Sequence, residues 1–194
     1  MLDYTGERAI PWNSAVGADV LIPHIQRYAF ALRYCWQKEV VDLACGTGYG
    51  SYMLSMVSKT VKGVDIAPDA VTFALDRFRA PNLEYGQDDI TKAVPLGEVY
   101  TAFECLEHLD NPQETLSLLA GSTLIYSIPV DDGSRFHARA YTVAEIIETF
   151  GGEIFYQDKY GTIVPREFVT WFSVLGERDE NWFDPKYILG VVEL

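Results

Sequence analysis

Short apolar runs alternate with amphipathic segments along the chain, a pattern typical of a parallel sheet with helices on both faces. The runs predicted to be strands are 39–43 (EVVDL), 60–65 (TVKGVD), 83–86, 99–103 (VYTAF) and 123–128 (TLIYSI). The helices predicted between or after them cover 48–57, the stretch around 71–78, a short segment from Asn111 and the segment 143–150. The last helix has a capping box, Thr142 with Glu145, and Gly151 and Gly152 end it.

The end of the chain departs from this alternation. Residues 153–157 and 168–175 are predicted to be two strands that pair antiparallel and close the sheet. The stretch 177–194 mixes charged residues with aromatic ones. It is interpreted as an extension that either packs back on the domain or forms a dimer contact.

The start of the chain is predicted to be a cap on this sheet. Residues 18–34 have a helical pattern, and Pro23 is expected to interrupt it. The whole pattern predicts one α/β domain over 1–194, with a helical cap in 1–36 and the core sheet in 37–176. The sheet is predicted to be Rossmann-like and doubly wound, mostly parallel, with a C-terminal antiparallel strand pair.

A glycine-rich turn follows the first predicted strand in the stretch VVDLACGTGYGS. Gly46 and Gly48 turn the chain into the next helix, and a residue without Cβ lets a ligand approach the backbone closely. The spacing is G-x-G-x-G, whereas dinucleotide sites use G-x-G-x-x-G. Asp42, just before the turn, would repel a pyrophosphate but attract a cationic sulfonium. Both features favour S-adenosylmethionine over a dinucleotide.

Two further acidic positions follow the second and third predicted strands. Asp65 ends the second strand, about 20 residues after the glycines, where an acid accepts hydrogen bonds from ribose hydroxyls. The alternative is that Asp65 only begins the next helix. Asp88 and Asp89 follow the third strand; the strand alignment favours Asp89 as acceptor for an adenine amino group, with Ile90 against the ring.

With these motifs the chain resembles class I S-adenosylmethionine-dependent methyltransferases over 5–157. It is most similar to a branch whose members begin with T-G-E-R-x-x-P and often accompany glycosyltransferases. The matching stretches are TGERAIP, IQRYAFA, DLACGTGYGS, GVDIAPDAV, FECLEHLDNP and FHARAYTVAEI. The stretch after the fourth strand departs from the family because it lacks the usual R-x-L-x-P-G-G turn and is shorter.

The resemblance implies a set of residues that hold the cofactor. Arg8 and Tyr28, in the front segment, are expected to reach its carboxylate or to close over it. The predicted cofactor contacts are Arg8, Tyr28, Asp42, Ala44, Gly46, Gly48, Asp65, Ile66, Asp89, Ile90 and Glu104.

A cluster of acids and histidines is the candidate for chemistry. Glu104, Glu107 and His108 follow the fourth strand, and one helical turn would place them on one face. His137, after the fifth strand, is expected to face the same space. One interpretation makes a histidine the general base. A second makes the four residues a divalent-metal site, similar to that of small-RNA 2′-O-methyltransferases and ubiquinone-pathway O-methyltransferases. A third is purely structural.

Composition narrows the classes of partner. With 28 acids against 15 bases, the formal net charge of −13 disfavours nucleic acid and anionic membranes. The three cysteines are odd in number and far apart, which argues against a disulfide framework. No apolar run approaches the length of a membrane span, and the polar start is unlike a signal peptide. We therefore expect a cytoplasmic protein.

The sequence thus predicts an enzyme that methylates an oxygen of a small molecule or a sugar. Two alternatives stay open. One is a catalytically silent module that binds S-adenosylmethionine, and the other is a nicotinamide-dependent reductase, against which the glycine spacing and Asp42 count. The acceptor, the metal dependence and the oligomeric state, including a homodimer, are not determined by the sequence.

Overall fold

A single mixed sheet organises the described part of the chain. The computed structural model describes residues 10–11, 16–130, 133–134, 137–174 and 183–194. Within these residues the sheet has eight strands. Its first five strands in chain order are β1 (Glu39–Leu43), β2 (Thr60–Asp65), β3 (Leu83–Gln87), β4 (Val99–Phe103) and β5 (Thr123–Pro129). These five are parallel and lie in the order β3-β2-β1-β4-β5.

The strand order reverses between β1 and β4. The chain builds outward from β1 through β2 to β3, and then returns to the other side of β1 with β4 and β5. In open parallel sheets a crevice forms outside the carboxyl ends of the strands at such a switch point. The fold therefore places the segments after β1 and β4 beside one another. The predicted mostly parallel, Rossmann-like sheet is confirmed.

Three antiparallel strands complete the sheet on the β5 side, and they correct one prediction. They are β6 (Glu153–Gln157), β7 (Ile163–Pro165) and β8 (Tyr187–Glu193), in the order β5-β8-β6-β7. The antiparallel C-terminal strands were predicted, but the second strand was assigned wrongly. The stretch 168–174, within the strand predicted over 168–175, is helical, and β8 lies within 177–194, which was interpreted as an extension outside the core sheet.

β8 is a central strand because it pairs with a strand on each side. All seven of its residues pair with β5, and five also pair with β6 on the other side. Gly190 allows this close packing, since a Cβ at that position would lie 2.2 Å from the ring of Tyr126 on β5. The β-branched and aromatic content of 168–175 suggested a strand there, but such propensity depends on the partners available.

The helices begin and end with clear local signals. They are α1 (Ala18–Cys35), α2 (Tyr49–Ser55), α3 (Pro68–Arg77), α4 (Pro112–Ser117), α5 (Val143–Phe150) and α6 (Arg166–Val174), with a 3₁₀ turn at Leu106–His108. Proline occupies the first turn of α3 and α4, where its missing N–H costs nothing. The predicted capping box of α5 is present, with Thr142 and Glu145 bonded reciprocally.

The helix α1 is continuous, which corrects the predicted interruption at Pro23. Pro23 lies within the helix and is buried. The buried residues of α1 recur at helical spacing, from Arg27 and Tyr28 through Ala31 to Cys35. This stripe packs on the sheet, so α1 covers one face of it.

Buried side chains form a core on each face of the sheet. Val41 and Leu124 belong to one cluster, with Ile146 of α5, whereas Val40 and Ile125 belong to the other, with Ala31 of α1. Neighbouring residues of a strand point to opposite faces, so β1 and β5 supply both clusters. Within the described residues, none of the helices combines the length and apolar character that a membrane span requires.

Candidate active site

A cavity of about 700 Å³ lies at the carboxyl ends of β1, β2, β3 and β4. Its volume falls within the range usual for small-molecule sites, about 300–1,000 Å³. The described residues that line it are His24, Tyr28, Ala44, Cys45, Gly46, Thr47, Tyr49, Asp65, Ile66, Ala67, Asp88, Asp89, Ile90, Thr91, Phe103, Glu104, Cys105, His108 and Leu109. Most of the residues predicted as ligand contacts are therefore gathered around one space.

The two predicted glycines, Gly46 and Gly48, have different structural roles in the turn after β1. Gly46 has φ +55° and no atom within 4 Å of the place where a Cβ would stand, and it lines the cavity. Gly48 has φ +84°, and a Cβ there would lie 2.5 Å from Cβ of Ala74. Tyr85 donates its hydroxyl hydrogen bond to the Gly48 carbonyl at 2.8 Å. Gly46 thus gives a ligand access to the backbone, and Gly48 lets the turn pack against α3 and β3.

Asp65 ties this turn to the end of β2. Its Oδ2 accepts a hydrogen bond from the Gly46 amide at 2.8 Å, and its Oδ1 accepts from the Ala67 amide at 2.9 Å. The carboxylate also lines the cavity. It is therefore fixed by two backbone donors beside the space where a ligand would lie.

The acids after β3 line the cavity on its other side. Asp89 accepts hydrogen bonds from the amide and hydroxyl of Thr91 and pairs with Lys92 at 2.7 Å. The bonds from Lys92 and Thr91 lower the pKa of Asp89 to about 2. Asp88 lines the cavity as well and lies 3.8 Å from Lys62. Ile90 is buried beside them, and Ile66 of the β2 loop is largely exposed.

Asp42 lies behind the cavity wall, and its predicted contact with a ligand stays a prediction. The side chain is fully buried and is absent from the cavity wall. It accepts hydrogen bonds from the hydroxyls of Ser51 and Thr101 at 2.6 Å each, and from Tyr28 at 3.3 Å. Tyr28 itself lines the cavity, so Asp42 acts on the site by fixing that ring. Burial raises the pKa of Asp42 to about 6, although the hydroxyl donors lower it.

The Asp42→Asn variant should change how stability depends on pH. A folded-state pKa of about 6 lies above the usual 3.9 of an unfolded chain, so the stability that Asp42 confers is complete below about pH 4 and is lost as pH rises through about 6. From about pH 5 to about pH 7 the free energy of unfolding of the wild type should therefore fall by about 1 kcal/mol relative to Asp42→Asn.

Urea unfolding of both proteins across this range measures the difference. Asp76→Asn, on the exposed surface of α3, is the matched control and should follow the wild type at every pH. Parallel curves for the wild type and Asp42→Asn would show that burial does not shift this carboxyl.

Glu104 does not share a helical face with Glu107 and His108, contrary to the prediction. Its φ of +49° is left-handed, so the chain leaves β4 in a turn before the 3₁₀ segment begins. The carboxylate lines the cavity and is paired with Arg27 Nη2 and with His24 Nε2. Burial tends to raise the pKa of Glu104, but Arg27 and, to a smaller extent, His24, His137 and His108 together lower it by more, so the pKa lies below its usual value.

The other three residues of the predicted cluster do come together. Glu107 is fully buried, His108 lines the cavity, and the rings of His108 and His137 pack edge to face with centroids 4.8 Å apart. One ligand atom from each of the three lies within 4.8 Å of the others. Glu104 is outside this group. A divalent cation held by Glu107, His108 and His137 stays a prediction, as does a base among the histidines.

Two residues of α1 were missed by the sequence analysis. His24 lines the cavity, and Arg27 is fully buried yet reaches Glu104. With Tyr28 they lie at positions i, i+3 and i+4, so they share one helix face. Two basic residues on an otherwise apolar, core-facing stripe were the available signal. Arg8, the other predicted front contact, lies outside the described residues.

The middle of the chain matches a known protein family. Residues 40–121, which include the glycine turn, Asp65, Asp89 and the acid–histidine cluster up to His108, match a family model described as "Methyltransferase domain". A probable S-adenosylmethionine-dependent methyltransferase of Mycolicibacterium smegmatis is 28% identical over 174 residues, 79% of this chain. The chain spans 66% of that relative, and 47% of each of two similar relatives from Mycobacterium tuberculosis.

Solved structures share the fold. Magnesium protoporphyrin IX methyltransferase from Synechocystis, solved with bound S-adenosylhomocysteine, gives a TM-score of 0.68 at 14% identity and covers 97% of this chain and 92% of its own. The N-methyltransferase NodS from Bradyrhizobium japonicum, also with S-adenosylhomocysteine, gives 0.53 at 19% identity and covers 62% and 67%. At these identities the likeness concerns the fold alone.

Proposed function

We propose that this chain transfers the methyl group of S-adenosylmethionine to a hydroxyl of a small molecule or a sugar. The family match over 40–121 and the methyltransferase relatives support a class I S-adenosylmethionine-dependent methyltransferase. The observation that carries the proposal is Asp65, whose carboxylate is bonded to the Gly46 amide at the edge of the cavity.

The cavity has the charge that this cofactor requires. Four carboxylates line it, those of Asp65, Asp88, Asp89 and Glu104, and its described lining includes neither lysine nor arginine. Opposite charges within a few ångströms attract, whereas a pyrophosphate would be repelled by the carboxylate of Asp65, which accepts from backbone amides. The cavity therefore suits a cationic ligand and disfavours a nicotinamide dinucleotide, which counts against a reductase.

The lining residues also fit the parts of the cofactor. The open position beside Gly46 admits an adenosyl group against the backbone, and the Asp65 carboxylate can accept from two ribose hydroxyls. Asp89 would accept from the adenine amino group, with Ile90 against the ring. Tyr28 and Glu104 would lie toward the methionine part. When bound, S-adenosylmethionine supplies a methyl group on a cationic sulfur.

The groups around the cavity favour an oxygen acceptor. Carboxylates and imidazoles around the cavity provide groups that hold a hydroxyl and accept its proton. His108 lines the cavity and its ring packs against that of His137, so the pair can hold the acceptor hydroxyl either directly or through a cation held with Glu107. A catalytically silent binding module would have the same cofactor site and no turnover.

Two measurements on the purified chain test this proposal. Calorimetry should show binding of S-adenosylmethionine and S-adenosylhomocysteine and no binding of NAD. Tritiated methyl transfer should then be detected to at least one member of a hydroxyl panel containing glucose, rhamnose and catechol, assayed with and without Mg²⁺. Binding without transfer to any acceptor would favour the silent module, and tight binding of NAD would contradict the cofactor assignment.

A further inference from the structure

His24 of α1 and Glu104 at the end of β4 form a pair on the cavity wall that sequence reasoning did not bring together. We propose that His24 is a catalytic residue that takes the proton of the acceptor hydroxyl, with Glu104 orienting its ring and Arg27 holding Glu104 in place. This inference rests on the proposed methyl transfer and assigns its base to a histidine other than His108 or His137.

The two ring nitrogens of His24 have distinct tasks in this step. Nε2 of His24 lies 3.2 Å from Oε1 of Glu104, within ion-pair distance. Burial lowers the pKa of His24 to about 4, so near neutral pH the ring is uncharged and one of its nitrogens has a lone pair. With the N–H on Nε2, beside the carboxylate, that lone pair is on Nδ1 and serves a substrate in the cavity that His24 lines.

Glu104 is held firmly enough to orient a ring. Its amide donates to the carbonyl and the hydroxyl of Ser127 on β5, which fixes the left-handed turn. Its carboxylate is ion-paired with Arg27, which is fully buried. An orienting carboxylate behind a histidine base is a general arrangement in proton-transfer sites, because it selects the tautomer and stabilises the imidazolium.

Arg27 is fixed in turn by the C-terminal strands. Its Nη1 donates to Oε1 of Gln157 at 2.9 Å, and its guanidinium lies 4.3 Å from the ring centroid of Tyr187. Gln157 is itself buried and donates back to the Pro23 carbonyl at 3.1 Å. α1, β4, β6 and β8 thus meet at one guanidinium, so the position of His24 is set by several elements at once.

The step balances with the groups present. The acceptor oxygen forms a bond to the methyl carbon, the carbon–sulfur bond breaks with its electron pair going to sulfur, and the hydroxyl proton passes to Nδ1 of His24. The proton then leaves to solvent. No other oxidant, reductant or co-reactant is required.

The tautomer of His24 tests the inference without any acceptor. The chain has three histidines, so ¹⁵N-labelled histidine gives three sets of ring signals that single glutamine variants assign. At neutral pH, His24 should carry its proton on Nε2, and Glu104→Gln should move its ring signals more than those of His108 or His137. An Nδ1–H tautomer at His24, or ring signals that ignore Glu104→Gln, would overturn the proposal.

Kinetics of variants test the role itself. His24→Gln keeps an N–H that can reach Glu104 but cannot accept the proton, so kcat for the panel acceptor should fall by about 100-fold or more. The calorimetric affinity for S-adenosylmethionine should stay unchanged, as should both quantities in the control Gln26→Ala, an exposed position on the same helix. Glu104→Gln should lower kcat more than it changes KM.

The outcomes separate the two proposals. If the wild type does not bind S-adenosylmethionine, the proposed methyl transfer is contradicted. The tautomer measured for His24 is unaffected by that outcome. Normal turnover by His24→Gln would remove His24 from catalysis and leave the methyltransferase proposal intact.

Discussion

Asp65→Ala is expected to weaken S-adenosylmethionine binding by about 100-fold or more. The substitution removes the acceptor proposed for two ribose hydroxyls, and hydrogen bonds to a charged group contribute about 1.5–3 kcal/mol each. Since about 1.4 kcal/mol corresponds to a factor of ten in affinity, losing both reaches at least that size. The Gly46 amide also loses its partner, which loosens the turn that faces the cavity.

Calorimetric titration of the variant with S-adenosylmethionine measures this effect. Asp76→Ala is the matched control, because Asp76 is an exposed acid of α3 and lines none of the cavity. Asp65→Asn separates the effect of the charge from that of the turn, because it keeps an acceptor for one backbone amide and removes the charge. Unchanged affinity in Asp65→Ala would show that Asp65 does not bind the cofactor. A large fall in thermal stability would show that the loss of affinity comes from a loosened turn.

Local sequence signals were sufficient to predict most strands in the parallel half of the sheet. Predicted and observed bounds coincide for β1 (Glu39–Leu43), β2 (Thr60–Asp65) and β4 (Val99–Phe103). These strands are mostly buried and rich in β-branched residues, which makes their runs recognisable in the sequence. Gly46 and Asp65 could be placed for the same reason, because Asp65 ends β2 and Gly46 lies in the turn just after β1.

The other half depends on partners distant in sequence. β8 pairs with β5, which lies more than 50 residues earlier, and Gly190 in its middle weakens its strand signal until Tyr126 is seen packed against it. The segment 168–174 has strand-forming residues, but it lies in α6 directly after β7, and the place between β5 and β6 is taken by β8. The strand propensity of this segment was therefore outweighed by the strand pairing that β8 makes.

The prediction that Glu104 shares a helical face with Glu107 and His108 was wrong because of one backbone torsion. A regular turn after β4 would have aligned Glu104 with Glu107 and His108, but the left-handed φ of Glu104 sends its side chain toward α1. The ion pair with Arg27 joins residues 77 positions apart, which no spacing rule reveals. The buried environment of Asp42 was missed for a related reason, because its three hydroxyl donors come from α1, α2 and β4.

Arg27→Met should lower the free energy of unfolding by about 3–5 kcal/mol, the usual cost of removing one partner from a buried ion pair. Methionine fills much of the volume, but it leaves Glu104 without its strongest cation and Gln157 without a donor. Urea unfolding followed by tryptophan fluorescence and by circular dichroism measures the loss. Arg33→Met, an exposed arginine on the same helix, should change stability by no more than about 0.5 kcal/mol.

The double variant Arg27→Met with Glu104→Gln distinguishes the charge from the packing. If the unpaired carboxylate causes most of the loss, neutralising it should restore part of the stability, giving a coupling between the two sites. If the lost packing of Arg27 on the Tyr187 ring causes it, the second substitution should restore nothing. An Arg27→Met protein as stable as the wild type would mean that Arg27 does not hold Glu104 in place, and the orientation of His24 would then have to come from the helix alone.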